Sequence, residues 1–446
     1  MPAPASTLDL DENDSMWVAT APASEPLRPL VGDVTADIVI VGGGFTGVSS
    51  AYELSGRYPD KKIVLIEARR LASGASGRNG GMALNWINGV EVKHAERAKR
   101  VFEVTKSGID WISDVIAKHK LDVRFRRDGC LECVTDVSRV EHEQQKAEKL
   151  ASWGLPIKWL AGADLDPVLR ARGVVGATLD PTAGQLHGVD LIAGLRGVLL
   201  ERGVAIYEFT PASSIEEGKI ITVHTPGGTV RAPAMVLATS AYSPALGYFK
   251  LGVLPLHSHV LSTEPLPKDL QEKIGWGRIS GFSDDMDRIA YASLGADGRL
   301  VFGGGSNAAY AYRYGARTVW DGSRAGPQAA IRKKLYEYFP DLKDFPVSHD
   351  WYGVIGVTMS RVCSIGVKGA HKNVYYGLGY SGHGVVLANL AGKVICDLYS
   401  DNHEPWRDLP FYNKTLTGIP PEPFRWVGYQ FYTAFTGKSP RVYEAP

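Results

Sequence analysis

The stretch DIVIVGGGFTGVSSAYELSGRYPDKKIVLIEA, residues 37–68, decides the fold. Ile38 to Val41 is a short β-branched run of the kind that makes a strand buried on both faces, and it stops at three consecutive glycines. Gly42, Gly44 and Gly47 then spell GxGxxG. In that pattern the first glycine permits a tight turn, the second lets backbone approach a pyrophosphate, and the third lets the following helix lie close to the strand. The spacing predicts that helix over about 45–54, with Phe45 and Thr46 in its first turn and its N-terminus facing phosphate. A second apolar run, Ile63 to Ile66, leads into Glu67, twenty positions after Gly47. A carboxylate there accepts hydrogen bonds from both ribose hydroxyls and repels a 2′-phosphate. Ala68 and Arg69 follow as further candidates for contact with the dinucleotide, the arginine either solvated or near its pyrophosphate. The segment is thus a βαβ dinucleotide-binding unit.

The rest of the chain sets bounds on what that unit serves. With 446 residues and 44% hydrophobic composition, two or three globular domains are expected. Forty-nine basic against 48 acidic residues leave a net charge of +1, so no global field draws in nucleic acid or anionic lipid. No window approaches the roughly 18 apolar residues of a transmembrane span. Residues 1–17 are Pro-rich and then acidic, unlike a secretory or mitochondrial signal, which predicts a cytoplasmic location. Cys130 and Cys133 form CxxC on an alternating segment, where positions three apart point to opposite faces. No second CxxC and no histidine at zinc spacing accompanies them, so two ordinary strand cysteines and no metal site are expected.

After Glu67 the polar loop LASGASGRNGGMALNW stands where a NAD domain starts its next helix. Helical patterns follow at 91–120, Val140–Ser152, 190–202 and 328–338, and paired strands at 123–134. A strand at 204–209, a hairpin at 219–231 and a buried strand at 235–239 come next. Longer, turn-separated strands over 253–302 suggest an antiparallel sheet, and the short apolar strands YGVIGV and NVYYGL return near the end. The pattern reads as a nucleotide domain interrupted twice by a sheet-containing domain. The nucleotide parts are 34–88, 174–245 and 350–400; the second domain takes 89–173 and 246–349; a tail with a helix fills 401–446.

Five ordered motifs carry a resemblance: GGGFTG, SGASGRNGG (73–81), VLATSAYSP (236–244), RLVFGGG (299–305) and GYSGHG (379–384). Together, with Ser15 and Trp17 before the first strand, they resemble the FAD-dependent D-amino-acid oxidase and glycine oxidase superfamily, nearest to its γ-glutamylputrescine oxidoreductase-like amine oxidases. The resemblance implies a Rossmann-type FAD domain, α/β and non-contiguous, with an α+β domain whose antiparallel sheet covers the substrate. It implies FAD contacts beyond the first unit from Ser73, Gly74, Ala75, Ser76, Arg78, Asn79, Gly80, Gly81 and Met82. Ala212, Ala238, Thr239, Gly353 and Gly356 are expected there too, and at the end Gly379, Tyr380, Ser381, Gly382, His383 and Gly384.

The chemistry of these motifs agrees with that implication. Small residues in SGASGRNGG let backbone N–H groups approach an extended cofactor, while Arg78 is placed to neutralise phosphate or a flavin oxygen. GYSGHG opens a helix over 385–398 whose N-terminus carries about half a positive charge, suited to an anion developing on a flavin. His383 is assigned a structural role in that turn. Trp86, Tyr291, Trp351 and Tyr380 are candidates for aromatic substrate walls, which suit amines. His257 and His259 alternate and point one way, to an expected solvated sheet face. Related sarcosine oxidases attach flavin through a cysteine, but WYGVIGVT has none, so FAD is expected to be non-covalent. The lysine that helps hold the substrate carboxylate in those relatives is replaced here by Val386, which argues against a simple N-methyl α-amino acid, and the lysine that aids oxygen activation by, approximately, Val301, which leaves oxidase against dehydrogenase open. No individual acid–base residue is assigned.

The expected function is oxidation of the C–N bond of an amine or amino-acid-like substrate: hydride passes to flavin N5, water hydrolyses the imine, and electrons go on to O2 or another acceptor. Two alternatives stand beside it. The βαβ unit alone suits a NAD-dependent dehydrogenase. A flavin-bound, non-catalytic assembly module is the other, using FRWVGYQFYTAF as a docking helix, although packing of Phe424, Val427, Phe431 and Phe435 on the protein's own body is preferred.

Overall fold

A computed structural model describes residues 15–91 and 93–436. The reading of residues 1–14 as free of a targeting signal, and the last ten residues of the expected tail, lie outside the described residues. The glycine turn sits at the end of a six-stranded sheet in the order Ala205–Tyr207, Ile63–Ile66, Ile38–Val41, Ala234–Leu237, Val374–Leu378, Ser364–Lys368. All neighbours are parallel except the last pair. Because strand side chains alternate, each β-branched run feeds two cores. Ile38, Ile40, Leu65 and Val236 pack on helices Phe45–Arg57, Gly188–Glu201 and Gly384–Tyr399. Val39, Val41, Ile66 and Leu237 pack instead on a small four-stranded sheet that includes the predicted hairpin. The long helix Ala95–His119 buries Val101, Ile109, Ile112 and Val115 at helical spacing. Its Gly108 meets Val386 and Leu390 of the last core helix.

A nine-stranded sheet forms the second body. Its longest pairing joins Leu254–Pro265 to Val347–Val357, and only Gly281–Asp284 with Cys130–Val134 runs parallel. Leu261, Phe282 and Phe302 bury one face against Ile331 and Leu335 of helix Ala325–Tyr338. The other face carries Cys130, Glu132, Ser258 and Tyr291 into a cavity. The two cysteines therefore do point to opposite faces: Cys130 borders the cavity and Cys133 lies in the helix-side core, both as free thiols.

Several expectations need correction. The segment 123–134 is not a hairpin, because Phe125–Arg126 pairs with Gly184–Leu186 while Cys130–Val134 pairs with Gly281–Asp284 and Gly176–Asp180. Gly176–Asp180 and Val347–Val357 are hydrogen-bonded into the nine-stranded sheet, so the stretches 174–180 and 350–357 leave the nucleotide portion assigned to them. The outer face of the C-terminal helix Phe424–Phe435 is not packed on the described residues: Phe424, Val427, Phe431 and Phe435 are exposed.

His257 and His259 share a face as expected, but that face is not solvated; both are fully buried against Trp320 and Tyr352. Neither ring nitrogen of His259 has a hydrogen-bond partner among the described residues. Burial first, then His257 and Arg324, push its pKa down to about 3. The unfolded ring takes up a proton near pH 6.5 and the folded one does not, so this histidine withdraws stability as pH falls from about 6.5 toward 3. His259→Leu should flatten that limb, leaving the variant up to roughly 3 kcal/mol more stable relative to wild type at pH 4 than at pH 8. Urea unfolding at the two pH values measures it; parallel pH profiles would contradict it.

Candidate active site

One cavity of about 2160 Å³ runs from the glycine turn to the start of the last core helix. That exceeds the 300–1,000 Å³ typical of a small-ligand pocket and leaves room for a dinucleotide together with a substrate. At its first end Gly42 has φ +109°, and a Cβ there would lie 2.7 Å from the Ala238 carbonyl oxygen. A Cβ on Gly47 would run into the Gly42 carbonyl. Gly47 therefore lets the helix touch the strand, and it is not itself on the cavity wall, whereas Gly42, Gly44, Phe45 and Thr46 are. Glu67 also borders the cavity, its Oε2 accepting from Gly43 N–H (2.7 Å) and its Oε1 from Arg69 N–H (3.0 Å). Burial raises its pKa, and those two bonds oppose the rise.

The loop 73–82 forms the middle of the cavity. Four successive carbonyls of it accept from side chains outside the loop: Gly77 from Ser15 Oγ, Arg78 from Trp351 Nε1 (3.0 Å), Asn79 from Trp17 Nε1 (2.7 Å) and Gly80 from Ser293 Oγ (2.6 Å). Ser76 Oγ accepts from Phe45 N–H at 2.9 Å, tying this loop to the first helix. Gly74, Ala75, Ser76, Arg78, Asn79, Gly80 and Met82 line the space, as does Ala68. Arg69, Ser73 and Gly81 do not: Ser73 closes a turn on Arg70, and Gly81 is pressed against the Trp17 indole. Ala212, Ala238 and Thr239 border the same space, with Gly353 and Gly356 further on.

At the far end Ser381 and Gly382 take left-handed backbone and aim the chain into helix Gly384–Tyr399. Tyr380, Ser381, Gly382, His383 and Gly384 line the cavity; Gly379 does not, being packed on Thr358. Tyr380 O–H meets Thr46 Oγ1 at 2.7 Å, joining the last core helix to the first. Asn88 Nδ2 donates to Ser381 O (2.7 Å), and Ser381 N–H to Gly356 O (3.1 Å). The His383 side chain makes no capping hydrogen bond to the helix that it precedes.

Of the aromatic candidates, Tyr291, Trp86 and Tyr380 border the cavity. The Tyr291 ring lies on Gly80, its hydroxyl 3.4 Å from Ser258 Oγ, and burial raises its pKa to about 12. Trp351 is not a wall: it is fully buried with Met16, Trp17, Val260 and Val301, beneath the Arg78 loop. Val301 and Val386 are fully buried as well. Sequence reading missed Asn88, Glu132, Ser258, Arg288, Tyr310 and Tyr429, all on the cavity wall. No local motif marks them, because the pairing of remote strands brings them together.

The geometry fits an extended dinucleotide: a strand–glycine–helix turn, a partly buried acid twenty residues on, a stapled small-residue loop, and a second helix start. A family model described as FAD dependent oxidoreductase matches residues 37–398. Gamma-glutamylputrescine oxidoreductase of Escherichia coli (strain K12) is 29% identical over 440 residues, 95% of this chain and 98% of that protein. A probable oxidoreductase of Rhizobium meliloti (strain 1021) is 30% identical over 398 residues, 86% and 87% of the two chains. Among solved structures, glycine oxidase from Geobacillus kaustophilus superposes with a TM-score of 0.73 at 19% identity, covering 86% of this chain and all of that one. The NAD alternative falls with these matches. The chain belongs to the FAD-dependent oxidoreductase family.

Proposed function

We propose that this enzyme oxidises the C–N bond of an amine or amino-acid-like substrate. The observation that carries the reading is the single cavity that joins the adenosine turn at Gly42 to the helix start at Gly384 and to the Tyr291–Ser258 face of the nine-stranded sheet. Gly42, Gly44 and Glu67 would hold the adenosine end of FAD, the loop from Gly74 to Met82 its middle, and Gly353, Gly356 and the turn Tyr380–Gly384 its ring. Bound there, FAD supplies the two-electron acceptor for the substrate's α-carbon.

The chain's own contribution is position and field. The helix start at Gly384 directs partial positive charge into the cavity, where negative charge gathers during the reaction. Tyr291, Trp86 and the sheet wall exclude water and orient the amine. The Tyr291 phenol stays protonated at neutral pH and can donate a hydrogen bond, not abstract a proton. In support of the substrate class stand the E. coli relative, named for γ-glutamylputrescine, and the glycine oxidase fold. A panel of primary and secondary amines, amino acids and γ-glutamyl amides, scored for carbonyl product and for peroxide, tests the reading. Turnover of one class is expected; a FAD-loaded enzyme inert to all of them would refute it.

FAD is bound without a covalent link. Cys363 is buried in the core behind the cavity, its pKa pushed up to about 12, and Cys130, which does reach the wall, is pushed higher still by burial. A thiol so held gives almost no thiolate to attack a flavin. Acid precipitation should leave all the yellow colour in the supernatant, and flavin retained in the pellet would contradict this. The described helices include none long and apolar enough to cross a membrane.

A further inference from the structure

The C-terminal helix Phe424–Phe435 is mounted with its hydrogen-bonding side inward. Arg425 donates to the carbonyls of Pro420 (2.9 Å) and Lys250 (3.0 Å), and Tyr429 O–H to Tyr310 O (3.1 Å). Asn307 Nδ2 donates to the carbonyls of Thr433 (2.7 Å) and Thr436 (2.9 Å). The side turned away from the body carries the rings. Phe424 is 69% exposed, Phe431 64% and Phe435 81%, with Trp426, Val427 and Tyr432 beside them. Exposed Tyr314 continues the patch, its ring centre 6.4 Å from that of Trp426. A helix lying on its own domain turns its apolar stripe to the core and its polar side to water. Here the order is reversed, so the stripe belongs against a second surface.

Area and charge narrow the choice of that surface. An aromatic side chain offers roughly 150–250 Å², so the exposed shares of these rings come to on the order of 700 Å². That is above the roughly 300–600 Å² of the largest apolar patch on a typical monomer, and close to the ~800 Å² that each partner gives to a standard interface. Arg425 is the one charged residue of the helix and it is buried, so the exposed face is uncharged. A helix lying in a lipid headgroup layer keeps Lys or Arg on its polar face, and none of the exposed residues of this helix is basic. Aromatic-rich, charge-depleted surface is instead what the centre of a subunit interface shows.

The spacing identifies the subunit. Phe424, Gly428, Phe431 and Phe435 succeed one another by four, three and four positions, which puts them on one stripe and reads the same from either end. Two such helices laid antiparallel about a twofold axis between Tyr429 and Gln430 set Phe424 against Phe435 of the partner subunit, and Gly428 against Phe431 of the partner subunit. Nothing stands within 4 Å of the place a Gly428 Cβ would take, so this glycine leaves an open notch. A glycine inside a helix lowers its stability, and receiving a ring gives this one a purpose. Phe424 and Gly428 also border the cavity, so a ring seated there closes its wall at this end.

We infer that a second copy of this chain covers this face, the two helices crossing about a twofold axis with Phe431 of each copy seated in the Gly428 notch of the other. The pairing seals the neighbouring end of each cavity.

Sedimentation of the full-length, FAD-loaded protein from nanomolar to micromolar concentration tests it. Wild type should run as a dimer at micromolar concentration, and Phe431→Glu should weaken that dimer roughly 100-fold or more while still taking up FAD. Phe435→Glu makes the same test should the first variant fail to fold. Gly428→Leu adds apolar surface and raises helix propensity, so a merely sticky patch would associate more tightly, whereas a filled notch should dissociate the dimer. A dimer that survives Phe431→Glu and Phe435→Glu, or that Gly428→Leu tightens, would overturn the inference. So would a monomer at every concentration, and pelleting of that monomer with phosphatidylcholine vesicles would give the face to a bilayer instead.

Discussion

Gly47→Val should yield a protein that retains no FAD and is recovered largely insoluble. The side chain would have to occupy the place of the Gly42 carbonyl oxygen. That carbonyl has nowhere to go: Gly42 N–H is bonded to Ile66 O at 2.9 Å, its φ of +109° is fixed by the turn, and Ala238 stands against it from the next strand. Relief requires moving helix Phe45–Arg57 off the sheet, which opens the Val48, Ala51 and Leu54 contacts of the core. Overpacking typically costs about 1–3 kcal/mol, and with the backbone locked on both sides we expect at least the top of that range. Gly197→Ala is the control. That glycine lies in helix Gly188–Glu201 with no atom near its missing Cβ, so alanine should be neutral or stabilise by up to about 1 kcal/mol. Flavin-to-protein ratio and urea midpoints give the answer, and a Gly47→Val protein as yellow and as stable as wild type would refute the account of the turn.

Trp351→Ala carries the second large effect, about 3–5 kcal/mol of stability together with loss of FAD. The ring is fully buried between Trp17, Val260 and Val301, and its indole N–H satisfies the Arg78 carbonyl. Trp351→Phe separates the two contributions. It preserves most of the packing but removes the indole's hydrogen bond to that carbonyl, for about 1–3 kcal/mol, and weakens FAD binding because the loop loses a staple. Equal thermal stability of Trp351→Phe and wild type, with equal FAD affinity, would show that the loop is held by something else.

The sequence made the nucleotide end legible because its determinants are local. A strand, three glycines, a helix and an acid all fall within 37–68, and each is forced by backbone sterics or by a hydrogen bond to a neighbour in the chain. The loop 73–81 and the turn 379–384 were legible for a related reason, since runs of small residues mark close backbone approach. Pairing across long sequence distances was not legible. Trp351 reads as a candidate wall because it stands beside a motif expected to border the flavin. The strand in fact runs Val347–Val357 along Leu254–Pro265, and its alternation sends Trp351 beneath the loop. His257 and His259 read as solvated because nothing nearby in sequence shows Trp320 arriving to cover them. Glu132, Ser258 and Arg288 reach the cavity only once Cys130–Val134, Leu254–Pro265 and Gly281–Asp284 share one sheet. The C-terminal helix was placed, but not its facing: Arg425, Tyr429 and Tyr432 turn to the cavity, while Phe431 and Phe435 remain outside.

The most direct measurement is the visible spectrum of the purified, FAD-loaded enzyme mixed with candidate amines in the absence of oxygen. At least one amine or amino acid is expected to bleach the flavin band, and admitting an electron acceptor to restore it. A flavin band that no amine bleaches, in an enzyme that chemical reductant reduces normally, would contradict the amine-oxidation reading.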